Sequence, residues 1–339
     1  MESKLLTRDE FREGVFKRDG HKCVFCGEPA ADAHHIIERR IWGNGGYFLN
    51  NGASVCEEHH IECEKTNISV EQVREKCGIT KPVLPEHFYH DQTYDKWGNI
   101  ILPNGQRLKG ELFYDLSVQK ILADVLGQFT SYVKYPRTYH VPWSENMNDD
   151  DRMIENMKSF EGKRVIVTEK MDGENTTMYR DHIHARSINS DTHVSRNWVK
   201  NFWAAIANDI PEGWRVCGEN LWAKHSIGYD NLPTYFMGFS VWNEKNECLD
   251  WDDTASWFNL LNIQSVPVLY DGIYDETKIK ALYNKENWQS KEGYVIRIAD
   301  KFSYGDFRKS AAKYVRKNHI QTVKHWMHGQ AVERNLLRA

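Results

Sequence analysis

Arg164-Val-Ile-Val-Thr-Glu-Lys170-Met-Asp-Gly-Glu-Asn175 is the stretch on which the reading of this chain turns. Its first half is rich in β-branched residues and contains no turn former, which predicts a strand. Gly173 interrupts the run, so Lys170 and Asp172 arrive where a strand ends and side chains can face a cleft. A lone lysine in such a place is usually a solvated charge. Here further chemistry-bearing segments follow in order: His184-Ala-Arg186-Ser, Gly218-Glu219-Asn220, Tyr235-Phe-Met-Gly-Phe239, Glu292-Gly-Tyr-Val-Ile-Arg297 and Ala-Lys313-Tyr-Val-Arg316. An amine that attacks phosphorus must lose a proton held with a pKa of about 10.4. Neighbouring cations and a bound metal supply that depression, and carboxylates such as Glu292 are hard ligands for a hard cation.

The order and spacing of these segments resemble the covalent nucleotidyltransferases, and within them the nick-sealing branch of ATP-dependent RNA ligases, over about residues 131–320. The resemblance implies an α+β fold, with ATP-grasp-like antiparallel sheets and helices. It implies ATP and Mg²⁺ (or Mn²⁺) as cofactors and RNA, as a nicked duplex or broken ends, as partner. By the same resemblance Lys170 is the nucleophile that carries AMP, and Glu292 holds the divalent metal or its waters. Lys313, helped by Arg316 or Lys317, neutralises phosphate; Glu219 and Arg186 grip the ribose; Phe239 stacks on adenine; Asn175 meets the α-phosphate. Asn175 matters for subclass, because DNA ligases and capping enzymes usually carry Arg there. The family commonly places a second lysine where this chain has Val315. Only 26 residues follow Lys313, so no OB domain is expected there, which favours RNA ligase over DNA ligase or capping enzyme.

A second signal lies near the start. Cys23-Val-Phe-Cys26 and Cys56-Glu-Glu-His59 are two knuckles with the spacing of one tetrahedral Zn²⁺ site, with Cys63 as the alternative fourth ligand. With His34-His35, Asn51 and His60 they resemble the HNH endonucleases, over about residues 15–65, and imply a small ββα-metal fold. The resemblance implies that His34 and His60 hold a catalytic divalent metal, that His35 is the general base and that Asn51 orients it through its other ring N–H. The competing reading is a docking module whose zinc only holds a small fold together.

The domain boundaries read as 1–80 for the zinc module, 81–127 for a connector and 128–339 for the ligase domain. A short polar helix is expected over Ser69–Cys77, stopped by Gly78. The connector carries a hairpin turned at Pro103-Asn104-Gly105 and a helical stretch over Leu116–Phe129. Asn148-Asp-Asp-Asp-Arg152 reads as a solvated turn, and Cys217 and Cys248 as small core residues. His182 and His184 read as partly exposed strand residues without a role.

Composition sets the outer bounds. No apolar run approaches the roughly 20 residues of a membrane span, and the charged opening MESKLLTRDEFREG does not read as a signal peptide. Together with cysteines better read as ligands or buried thiols than as disulfides, this gives a cytoplasmic expectation, in a bacterium or in the host of a phage. A net charge of −4 gives no global attraction to nucleic acid, but from Lys301 onward nine Lys or Arg face two acids, a bias suited to phosphate backbone. RNA grip is expected from that tail (Lys324-His-Trp-Met-His-Gly329 included) and from Tyr135-Pro-Arg-Thr-Tyr-His-Val-Pro-Trp-Ser144. Two rival readings stand beside the RNA ligase: a DNA-directed HNH nuclease and ligase that also meets DNA, and a nucleic-acid-binding protein with vestigial sites.

Overall fold

The branched run does form a strand, Arg164–Lys170, and every residue from Val165 to Val167 is fully buried. Such unbroken burial arises because both faces of the strand are covered. The computed structural model describes residues 4–147, 151–188, 193–284, 288, 290–317 and 332–338. It divides into two units, Met1–Ser131 and Tyr132–Ala339.

In the second unit the Arg164–Lys170 strand lies in a five-stranded sheet between Val268–Ile273 and Gly293–Ile298, both antiparallel to it. Ala311–Val315 pairs with the far side of Gly293–Ile298, and Tyr139–His140 closes the edge. Register sets Gly293 opposite both Lys170 and Val315, and Val295 opposite Lys313. Glu292 is thereby brought beside Lys170 across 122 residues of sequence. A methyl on Gly293 would lie 1.9 Å from the Tyr314 carbonyl oxygen, so this crossing of strands tolerates no side chain.

A second sheet is built around Glu174–Tyr179, Arg215–Asn220 and Phe236–Trp242, all antiparallel, with Asn175 opposite Glu219. Helices Asn197–Ile206 and Trp251–Leu260 contribute Val199, Ile206 and Phe258 to an apolar cluster with Met178, Val216 and Val241 of those strands. The chain leaves the first sheet at Lys170 and enters the second at Glu174, so Met171–Gly173 is the link between them. Gly173 makes that link possible: a methyl there would stand 2.5 Å from the Asn220 carbonyl oxygen.

The first unit contains a two-stranded pair, Asp32–His35 with Gly52–Val55, followed directly by helix Glu57–Glu64. Helices Arg8–Arg18 and Val70–Lys76 each begin at a capping box, Thr7/Glu10 and Ser69/Gln72, which satisfies backbone donors at both ends of the motif. The segment expected as a connector packs into this unit: Phe88, Tyr94, Ile100 and Leu112 join the cluster of Ile36, Ile37 and Trp42. The reason is its apolar content, which gains more by joining that core than by staying in solvent. Its hairpin strands Ile100–Ile101 and Arg107–Leu108 turn through Gly105 at φ +81°. The expected helix over Leu116–Phe129 is an α-helix Leu116–Ile121 followed by a 3-10 helix Ala123–Gln128. Among the described residues no helix is long and apolar enough to cross a membrane.

Gly293→Ala should lower the thermal midpoint of the protein, in keeping with the roughly 1–3 kcal/mol that overpacking costs. A melting curve superimposable on wild type would contradict the close strand crossing.

Candidate active site and metal centre

Between the strands that end at Lys170, Asn220 and Val315 opens a cavity of about 950 Å³, the size of a nucleotide-scale ligand site. Lys170, Asn175, Arg186, Glu219, Phe239, Glu292 and Lys313 all line it. Period-two alternation along Phe236–Trp242 turns half-buried Phe239 toward the cavity, edge-on to Tyr135 at 5.1 Å. Glu219 accepts a hydrogen bond from the Gly173 backbone N–H at 3.2 Å.

The Lys170 ammonium donates to Glu292 at 2.5 Å, and Glu292 is 4% exposed. Burial presses Lys170 toward its neutral form, but Glu292, Glu219 and Asp172 outweigh it and the net shift is upward. The expected depression of this amine is therefore absent from the resting site. The Glu292 carboxylate thus holds this amine in its protonated form. Burial raises the Glu219 carboxyl to about 8, against the pull of Lys170. Burial also lowers Lys313, partly offset by its 3.0 Å ion pair with Asp151.

That ion pair overturns one reading. Asp151 is not part of a freely solvated turn: it also approaches His140 at 3.3 Å and lines the cavity, because Lys313 and His140 face it from neighbouring strands. Residues 148–150 of the same acidic run lie outside the described residues, as does Lys324–Gly329. Val315 is 2% exposed, so the position of the second family lysine faces core. Arg316 is committed to the Lys291 carbonyl, its Nε donating at 2.6 Å, which leaves Lys317 exposed. His184 is buried rather than partly exposed, its ring Nδ1 against the Ala185 carbonyl. Sequence reading also passed over Arg137, Thr138 and His225, which line the cavity; only the first two lie in a stretch singled out beforehand. Cys217 and Cys248 are buried.

In the first unit Cys23, Cys26, Cys56 and His59 bring their ligand atoms within 4.8 Å of one another. Sγ of Cys26 and Sγ of Cys56 stand 3.8 Å apart, close to the roughly 3.7 Å that two zinc–sulfur bonds of about 2.3 Å subtend at a tetrahedral angle. The donor set and its spacing fit Zn²⁺. Cys63 is outside the cluster, and burial pushes its thiol up to about 12, which suits a core residue.

His34 and His60 meet in a second cluster, with Glu64 as a third member. Glu64 was not foreseen, although it lies one helical turn after His60 and the i, i+4 spacing puts both on one face. His34 is 2% exposed, and its Nδ1 has no hydrogen-bond partner among the described residues. A buried imidazole nitrogen without a hydrogen bond, 3.6 Å from a Glu64 oxygen and beside half-buried His60, fits a cation. Buried Lys96 also enters, its ammonium 2.8 Å from the His35 carbonyl oxygen and 3.0 Å from Glu64. His35 is half-buried and stacks on Phe11 at 4.5 Å; burial first, then Lys96, lowers its imidazole to about 4. Asn51 does not orient that ring. Its amide accepts from the Ile37 N–H at 2.9 Å and donates to the Ile37 and Gly46 carbonyls, so it braces the loop between the two strands instead.

The RNA ligase family model matches residues 163–315, which run from the strand before Lys170 to the strand of Lys313. No curated protein matches the chain. Among solved structures, an RNA ligase of Naegleria gruberi in a mutant apo form is 20% identical with a TM-score of 0.37, covering 55% of this chain and 56% of its own. The same organism's RNA ligase with pyrophosphate is 17% identical with a TM-score of 0.38, covering 93% and 82%. An archaeal ATP-dependent RNA ligase is 14% identical with a TM-score of 0.38, covering 55% and 48%. The chain thus spans about half the length of the first and third of these. Residues 163–315, which hold Lys170, Glu219, Glu292 and Lys313, are thus the part of the chain that is similar to the RNA ligase family.

Proposed function

We propose that the second unit is an ATP-dependent RNA ligase acting through a lysyl–AMP on Lys170. The observation that carries this reading is the Lys170–Glu292 ion pair in the lining of a nucleotide-sized cavity that also presents Asn175, Glu219 and Lys313. A divalent cation held by Glu292 would draw that carboxylate away from the amine and neutralise phosphate charge. The neutral Lys170 amine then attacks the α-phosphorus of ATP. The bond from that phosphorus to its bridging oxygen breaks, pyrophosphate departs, and the surplus proton on nitrogen passes to solvent. An oxygen of an RNA 5′-phosphate next attacks the phosphoramide, which returns Lys170 and leaves an adenylated end. Finally a 3′-hydroxyl attacks the 5′-phosphorus and expels AMP. Holding the ends in line and neutralising phosphate charge supply most of the catalysis. Lys313, Arg186 and Arg137 are the cationic groups placed for it, with Phe239 as the adenine platform and Glu219 as the ribose acceptor.

The first unit is proposed as a zinc-held ββα module whose His34, His60 and Glu64 hold a divalent cation. His35 is the general base of this reading, so that the module cuts a phosphodiester or, failing that, docks nucleic acid.

Lys170→Ala and Lys170→Arg should abolish both sealing of a nicked duplex and label from α-labelled ATP while the protein stays folded. A sealed nick with either variant would remove Lys170 from the mechanism, and joining only of DNA strands at the nick would favour the DNA-directed reading.

Single-turnover adenylylation should rise with pH. Lys170 is held above its ordinary range, so the neutral fraction grows about tenfold per pH unit below the folded value. A rate that falls over that range would contradict the paired, protonated resting state.

Elemental analysis should give about one zinc per chain, as four ligands for one tetrahedral ion require, and Cys26→Ser should lose it. His35→Ala should slow divalent-dependent nicking by roughly 10²–10⁴-fold and leave sealing intact. If wild type cuts no duplex, hybrid or single strand, while loss of residues 1–80 weakens sealing, the module docks nucleic acid.

A further inference from the structure

Residues 332–338 pack back onto the second unit along the loop that follows the Glu219 strand. Lys224 N–H donates to the Glu333 carbonyl at 2.8 Å, Asn335 N–H to Trp222 at 3.1 Å and Leu336 N–H to Tyr229 at 2.8 Å. Leu232 and Arg338 continue the ladder. At its centre Asn335 is 1% exposed. Its Nδ2 donates to the carbonyls of Leu221 and Ala223 at 2.8 and 3.2 Å, and its Oδ1 accepts from Tyr229 N–H at 2.9 Å. One amide thus fastens both ends of loop 221–229.

The loop grips the nucleophile's own link. The Tyr229 hydroxyl accepts from the Asp172 backbone N–H at 2.9 Å, and the Ile227 N–H donates to the Asp172 carboxylate at 2.7 Å. Leu221 lies against Gly173, leaving no room for a methyl. The hydrogen bonds run in series from Asn335 to Tyr229 to Asp172, two residues from Lys170.

We propose that Asn335 is a positioning residue for adenylylation: residues 332–338 lock loop 221–229, and the loop fixes Asp172 and with it the aim of Lys170. The proposal rests on the ligase reading. Nothing in segment 332–338 lines the cavity, so its loss should act on the rate of nitrogen–phosphorus bond formation rather than on ATP affinity. Misplacement of a reacting group by about 1 Å costs as much as roughly 10²-fold in rate.

The test measures single-turnover labelling by α-labelled ATP across ATP concentrations for wild type, Asn335→Ala, Tyr229→Phe and the double variant. Tyr229→Phe keeps the ring and deletes only the hydroxyl that holds Asp172. Each single variant should lose about 10- to 100-fold in maximal rate with half-saturating ATP unchanged. The double variant should be no slower than the slower single one, because both act through the same series of contacts. Tyr229→Phe at the wild-type rate, multiplied losses in the double variant, or a loss confined to ATP affinity would each overturn the proposal. If Asn335→Ala does not fold, Tyr229→Phe decides alone. A wild type that takes no label refutes the ligase reading itself, and the positioning role with it.

Discussion

Burying one ammonium or one carboxylate away from water is costly, and burying them together is tolerable only at close range with good geometry. Lys170 and Glu292 meet at 2.5 Å in the lining of the cavity, and much of the second unit reads as the means of bringing them there. The register that sets Gly293 opposite Lys170 places the carboxylate. The missing side chain at Gly293 lets Tyr314 approach, and the missing side chain at Gly173 lets the chain cross from one sheet to the other. If Lys170 is the nucleophile, as proposed, the pair would also keep the resting site silent until a cation drew Glu292 away.

The strand before Lys170 was legible because Val165, Ile166, Val167 and Thr168 form a local pattern, and the cluster of Cys23, Cys26, Cys56 and His59 because two short spacings suffice. Glu292 and Lys313 were legible through segments that travel together in the family. What was hidden has no local mark. Asp151 looked solvated in a run of acids, yet Lys313, 162 residues later, turns it inward. Asn335 stands in an unremarkable polar stretch, and its partners are more than 100 residues earlier. Glu64 had the helical spacing to be found. Lys96 did not, since it comes from a segment that reads as a connector. Asn51 was assigned to the His35 ring by resemblance, whereas the geometry gives its amide to backbone.

The two units meet the same difficulty, polar chemistry inside a folded core, at different scales. The larger one surrounds its charged groups with two sheets and an extensive apolar core. The first has a smaller core, and a zinc held by Cys23, Cys26, Cys56 and His59 would add binding energy directly to folding. Lys96 beside Glu64 already offsets one carboxylate there, so a divalent cation held by His34 and His60 would enter a site partly neutralised by the chain itself.

The most direct measurement is mass spectrometry of the protein after ATP and Mg²⁺, with the modified peptide sequenced and then chased with a 5′-phosphorylated nicked duplex. The account predicts one acid-labile AMP on the peptide containing Lys170 and its transfer to the RNA 5′-phosphate in the chase. AMP on any other residue, or an unmodified chain under conditions where nicks are sealed, would contradict it.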